Sequence, residues 1–246
     1  CKGDYILVLG SDDGLMPNSL KQISDLILKS GAELITWPTA AYFYSGTKSK
    51  YSQLIVPNAI GSEGERWITA ESFLDRQREN LSYVSDKECP MLYVKSVASK
   101  SLVQQVIKKS GGKFYSCSTP DGYSAFAFLC EIDKYLYSNK PFSLHGVSPS
   151  SAGVNYVQKV SDKADLSSDF FKHSKDRPMH SKLGGQEYSP LISIMTVDFL
   201  LTSQDVVGGG QVEYTIDYKR LIDKSLNELC DGLMDTSKIK RELHII

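Results

Sequence analysis

Two adjacent carboxylates, Asp12 and Asp13, follow the apolar run Tyr5-Ile6-Leu7-Val8-Leu9 after only Gly10 and Ser11. Acids at the carboxyl end of such a strand form a hard oxygen-donor set, and ligands of open α/β sheets gather at that end. A magnesium or manganese ion there would be held by one or two carboxylates together with phosphate oxygens of a substrate. By itself an Asp-Gly pair such as Asp13-Gly14 is a common turn former. Here the pair stands between a strand and a helix opened by Pro17, where a capping turn would need only one such residue.

A third acid, Asp121, lies at the start of a helix. Thr119 is its expected N-cap, Pro120 its first residue, and the nearly all-apolar run Tyr123 to Ile132 makes it a buried helix. An acid in that position complements the helix dipole. The same backbone N–H groups are expected to keep Asp121 ionised at neutral pH, able to take a proton from an incoming hydroxyl. Ser11 beside the acid pair and His145 before Gly146 at a strand end are candidate substrate contacts. Trp37, Tyr42, Tyr44 and Tyr123 could wall a ring-shaped substrate, although the default role of each is packing. Gly146 to Gly153 could wrap a phosphate or a sugar, or be a plain loop. His173, His180 and His244 lie in polar stretches and carry no functional expectation.

The elements that must position these groups are legible in outline. A buried strand is expected over residues 4–9 and a helix over 17–29 closed by Gly31, with Leu20, Ile23, Leu26 and Ile27 as its inward face. A strand over 33–37 completes a βαβ-type opening. Strands are expected in 41–44 and 53–56, then a helix over 69–80 capped by Thr69 or Ser72, and a short strand over 91–94. A helix over 100–110, the Asp121 helix and a short strand over 142–144 follow. Residues 148–190 read as a long, polar connection. Two helices, 191–201 and 218–233, end the chain. A boundary is placed near residue 155. Gly208-Gly209-Gly210 lacks the spacing and the preceding strand of a dinucleotide loop.

Composition narrows the classes. The 246 residues suit one large domain, or a domain with an appendage, and 41% hydrophobic residues are ample for a core. With 28 basic against 29 acidic residues and no basic tract, a nucleic-acid partner is not indicated. No apolar run reaches the ~20 residues of a membrane helix, leaving only peripheral membrane association. Five widely spaced cysteines without a C-x-x-C pair argue against zinc and fit reduced thiols in a cytoplasmic protein. The first strand has no βαβ unit before it, so the upstream half of its domain is expected to lie outside this chain.

The segment Gly3-Asp4-Tyr5-Ile6-Leu7-Val8-Leu9-Gly10-Ser11-Asp12-Asp13-Gly14-Leu15-Met16-Pro17-Asn18-Ser19-Leu20 resembles the central segment of family 2 glycosyltransferases: an apolar strand, a D-x-D-type motif, then P-x-x-L. Thr119 to Ala125 resembles the later acidic segment of bacterial members, with a buried helix and Tyr135-Leu136-Tyr137-Ser138 after it. The resemblance covers about residues 3–150. It implies an α/β, GT-A-like (Rossmann-like) mixed sheet flanked by helices. Residues 1–155 would be the C-terminal half of that domain, and 156–246 a loop plus helical C-terminal extension. It also implies inverting transfer of a sugar from a nucleotide-diphosphate donor to a glycan or lipid-linked acceptor, with Mn2+ or Mg2+ at Asp12 and Asp13 and Asp121 as general base. Surface polysaccharide or glycan synthesis is the implied setting. Gly10 and Ser11 stand where many members carry a first Asp, and the Gln-x-x-Arg-Trp motif of processive synthases is absent. A nucleotidyltransferase-type enzyme and a non-catalytic binding module on the same fold are the alternatives.

Overall fold

The computed structural model describes residues 2–45, 53–57, 64–148, 177–185, 188–208 and 214–230. They form a mixed α/β structure with two sheets. The strands are β1 (Tyr5–Ile6), β2 (Gly14–Leu15), β3 (Leu34–Thr36), β4 (Ala40–Phe43), β5 (Leu54–Ile55), β6 (Glu65–Thr69), β7 (Ser96–Ser99), β8 (Lys134–Ser138) and β9 (Ser143–Val147). The helices are α1 (Ser19–Ser30), α2 (Ala70–Asn80), α3 (Lys100–Lys109), α4 (Pro120–Leu129), α5 (Ile192–Val206) and α6 (Tyr218–Cys230). The larger sheet runs β1-β7-β3-β8-β6 and the smaller β2-β9-β4-β5. In the larger one β7 is antiparallel to both β1 and β3, β3 is parallel to β8, and β6 is antiparallel to β8.

Strand alternation sorts the side chains of the larger sheet into two cores. Leu34, Ala98, Tyr135 and Tyr137 face the main core, where they join Phe73 of α2, Leu102 and Val106 of α3, Phe126 of α4 and Phe199 of α5. Ile35, Val97 and Leu136 point the other way, onto Ile23 and Leu26 of α1, Trp37 and Phe142. Leu20, expected on the inner face of α1, is instead 67% exposed.

The caps follow local chemistry. Thr69 accepts from the Ser72 N–H at the start of α2, and Ser99 accepts from the Leu102 N–H at the start of α3. Gly31 ends α1 at φ 65°, a left-handed position that favours glycine. Thr119 makes no side-chain cap bond on α4.

Two expectations are corrected. The first strand is not a buried parallel strand over 4–9. Only Tyr5–Ile6 pairs, antiparallel to β7 at the edge of the sheet, and Leu9 is exposed. The strand expected over 91–94 forms later, at Ser96–Ser99, because Val94 adopts φ 62° and breaks the extended run. Past residue 156, α5 and α6 contribute Val197, Phe199, Leu221 and Leu229 to the same main core as α2 to α4. Most of the polar connection over 148–190 lies outside the described residues, as does the second half of the Gly146–Gly153 stretch.

Candidate active site

The loop after β1 is folded around one carboxylate. Asp13 Oδ2 accepts from the Gly10 N–H at 2.8 Å, and Asp13 Oδ1 accepts from the Gly146 N–H at 2.9 Å. Nδ1 of His145 lies 3.2 Å from the same Oδ1. The Tyr93 hydroxyl also bonds to this carboxylate. The Asp13 side chain is wholly buried. A buried carboxylate is stable only when its lone pairs are satisfied, and here two backbone amides, a phenol and an imidazole satisfy them. Asp13 therefore works as a brace that ties the loop after β1 to β9.

Glycines make the close approaches. A Cβ on Gly146 would run into the main-chain carbonyl of Asp12, and one on Gly10 would run into the Tyr93 hydroxyl and the Asp13 carboxylate. The Asp12 carbonyl also accepts from the Tyr44 hydroxyl at 3.2 Å. Asp12 is thus pinned by its backbone between β9 and the residue after β4, and is partly accessible to solvent.

Tyr93 reaches this point through an unusual turn. The Lys95 N–H donates to the Tyr93 carbonyl at 2.7 Å across Val94, and the Val94 N–H donates to Val8 at 2.8 Å. A three-residue turn with a left-handed, buried, β-branched centre is strained. Its effect is to lay the Tyr93 phenol against the acid cluster. Burial, then the charges of Asp13, Asp12 and Asp121, hold the phenol protonated well above its ordinary value. It is a hydrogen-bond donor at any physiological pH.

Asp121 occupies the first turn of α4, as expected. The direction of its pKa shift differs from expectation. Burial raises its pKa above the usual carboxylate value, outweighing the backbone N–H bonds and the nearby His145, which lower it. A carboxylate so tuned is a stronger proton acceptor than a solvated one. Gly122, next to it, lets α4 press on α5 and the short 3-10 turn after α2: a Cβ there would collide with Phe199 and Tyr83.

The structure thus gathers Asp12, Asp13, Asp121 and His145 from three segments, around Tyr93. It separates others. Trp37 is fully buried, its indole N–H donating to Ser143 Oγ at 2.7 Å and its ring edge-on to Phe142. Tyr123 is equally buried, inside α4. Both expected substrate contacts are therefore core residues, because the strand and helix that carry them turn these positions inward. Ser11 is exposed beside the acids. Tyr42 lies edge-on to Tyr44, with ring centroids 4.9 Å apart, on the strand beside β9. Tyr93 was not among the expected site residues. In sequence it sits in an apolar run, and only the hydrogen bond from the Val94 N–H to the Val8 carbonyl, with the turn at Val94, brings it to the acids.

Among the described residues, no group of three or more His, Cys, Asp or Glu is arranged to hold a metal ion. No described helix is long and apolar enough to cross a membrane.

No protein-family model matches the chain, and no curated protein matches it. Among solved structures, it is similar to crystal structures of Staphylococcus aureus TarS residues 1–349. The complex with UDP-GlcNAc aligns at 11% identity and TM-score 0.41, covering 95% of this chain and 61% of that one. The complex with UDP aligns at 13% identity and TM-score 0.40, covering 95% and 60%. The chain thus spans about three fifths of the length of those structures.

Proposed function

We propose that this chain carries the reacting end of a nucleotide-sugar-dependent glycosyltransferase. The observation that supports it most is the convergence of Asp121, with its raised pKa, on the Asp12-Asp13 loop at the carboxyl end of β1. That pairing puts a proton acceptor beside an acidic loop suited to a cation-bridged diphosphate. UDP-GlcNAc, which the S. aureus TarS structure holds, is a reasonable first donor to try.

In this reading Asp121 takes the proton from the acceptor hydroxyl as it attacks the anomeric carbon, from the face opposite the leaving diphosphate, giving inversion. The transition state is oxocarbenium-like. His145, partly exposed and anchored through Nδ1 to Asp13, offers its other edge toward substrate. Ser11 lies on the rim of the same loop.

A divalent cation, Mn2+ or Mg2+, fits this donor set only in part. The oxygens of Asp13 are taken by protein donors, so Asp12 would be the protein carboxylate to ligate a cation otherwise coordinated by the donor's diphosphate. When bound, such an ion would stabilise the leaving diphosphate as a Lewis acid.

Calorimetric titration of UDP and GDP, with and without manganese, tests the reading. Manganese-dependent binding that is lost in Asp12→Ala is expected. Binding of neither nucleotide to folded protein would count against it, in favour of a non-catalytic module.

A further inference from the structure

A cavity of about 650 Å3 opens at the far edge of the larger sheet, beyond the carboxyl ends of β3 and β8. Pro38 and Asn139 line it there, and α2 and the segment 82–88 close it. It shares no lining residue with the acid cluster. Its size falls within the range of small-ligand sites, roughly 300–1,000 Å3.

The lining carries three cations, Arg66, Arg76 and Lys87, against two carboxylates, Asp86 and Glu88. The carboxylates are already engaged within the wall. Arg76 donates to Asp86 at 3.0 Å and to Glu88 at 2.6 Å, Arg66 donates to Glu88, and Gln77 donates to Asp86 at 3.0 Å. They are also turned inward: the side chains of Asp86 and Glu88 are 14% and 20% exposed, those of Arg76 and Arg66 35% and 49%. An entering ligand meets positive charge first.

Lys87 supplies the unmatched charge. Its side chain is exposed, and its ammonium has no hydrogen-bond or ion-pair partner among the described residues. The backbone that carries it is held in place. The Lys87 carbonyl accepts from the buried Lys95 ammonium at 2.9 Å, and the Glu88 carbonyl accepts from the Tyr135 hydroxyl at 2.8 Å. Arg66 is fixed by Asn139, whose amide is engaged at both ends, and by the Tyr137 ring, 4.4 Å from the guanidinium to its centre. Cations held in position between low-dielectric walls concentrate their field on a ligand anion, and charge-assisted hydrogen bonds are the strong ones.

The rest of the lining suits hydroxyl groups. The Asn80 side chain has no hydrogen-bond partner among the described residues. Ser82 and Ser85 pair through their hydroxyls at 2.5 Å, which uses one hydroxyl hydrogen and leaves the other to donate.

We propose that this cavity binds an acidic saccharide unit, its single carboxylate or phosphate held by Lys87 and Arg66 and its hydroxyls by Asn80 and the Ser82–Ser85 pair. That such a unit belongs to the acceptor glycan rests on the glycosyltransferase reading; the binding itself does not.

The probes are glucuronate and glucose 6-phosphate, with glucose as the neutral control and inorganic phosphate as the free anion. Each is titrated into 15N-labelled protein while the Lys87 backbone amide and the Asn80 side-chain amide are followed. At least one of the two acidic sugars is expected to shift both signals saturably, and which one binds more tightly identifies the oxyanion. Glucose should shift neither signal, and inorganic phosphate should bind more weakly than the acidic sugar. Lys87→Gln should weaken the binding about five- to ten-fold, and Lys87→Glu, which reverses the charge balance of the lining, should abolish it. Because Lys87 is exposed and unpaired, both variants are expected to fold, and unchanged signals elsewhere in the spectrum check this. No nucleotide is used, so failure here leaves the transferase reading standing, and failure of that reading leaves this site standing. The proposal is overturned if neither acidic sugar shifts these signals, if glucose binds as tightly as they do, if inorganic phosphate does so (an adventitious ion only), or if Lys87→Gln binds as the wild type does.

Discussion

The carboxylate of Asp13 and the backbone N–H of Gly146, 133 residues apart in sequence, meet at 2.9 Å and join the loop after β1 to β9. One buried side chain thereby fixes the position of its neighbour Asp12. Asp13→Asn keeps one acceptor and loses the other together with the charge, leaving a buried amide donor or a phenol unmatched. It should destabilise the protein by about 1–3 kcal/mol in urea denaturation. Stability equal to wild type would mean that the brace is not needed.

Gly146→Ala tests the same junction from the other side. The added methyl would meet the Asp12 carbonyl, which is backbone and cannot swing away. A loss of about 1–3 kcal/mol, the usual cost of overpacking, is expected by thermal or chemical unfolding. Because Asp12 must move to relieve the contact, nucleotide binding should weaken more than stability does.

The pH dependence of Asp121 follows from its burial. Its native pKa lies above the unfolded value of 3.8, so the native state holds more protons than the unfolded one between the two values. Stability therefore falls as pH rises through that window, and the cost is fully present above it. Asp121→Asn removes the cost. It should raise the melting temperature at pH 7 and leave it nearly unchanged at pH 3. A variant less stable at pH 7 would show that the charge is compensated and that burial does not dominate. An acid kept at a cost to stability is what a proton acceptor requires.

Helix α5 begins without a side-chain cap of its own. Glu228, on α6, supplies it: Oε2 accepts from the Ile192 N–H at 2.7 Å and Oε1 from the Ser193 N–H at 2.8 Å. Glu228→Ala should cost about 1–2 kcal/mol, the upper range for a lost cap, and Glu228→Gln less. Equal stability of all three proteins in guanidinium would remove this link between α5 and α6.

Local chemistry made the helices readable. Thr69, Pro120 and Gly31 fall within two residues of the ends they were expected to mark. The strands were harder. Tyr5 to Leu9 reads as a buried strand because all five residues are apolar, yet only its first two pair, at a sheet edge. Apolarity reports burial potential, not the number of neighbours a strand finds. The site divides the same way. Asp12, Asp13, Asp121 and His145 stand out by type and position. Trp37 and Tyr123 look equally suited to a sugar, and only their inward orientation shows them to be core. Tyr93 carries no sequence signal at all, since a left-handed Val94 brings it to the acids.

The central claim is that Asp121 removes the acceptor proton. It is tested most directly by following nucleotide-diphosphate release from UDP-GlcNAc, with manganese present and water as the default acceptor, in wild type and Asp121→Asn. The account predicts equal donor affinity by calorimetry and release slowed at least about 100-fold in the variant. Release at the wild-type rate, from a variant that binds donor normally, would contradict it.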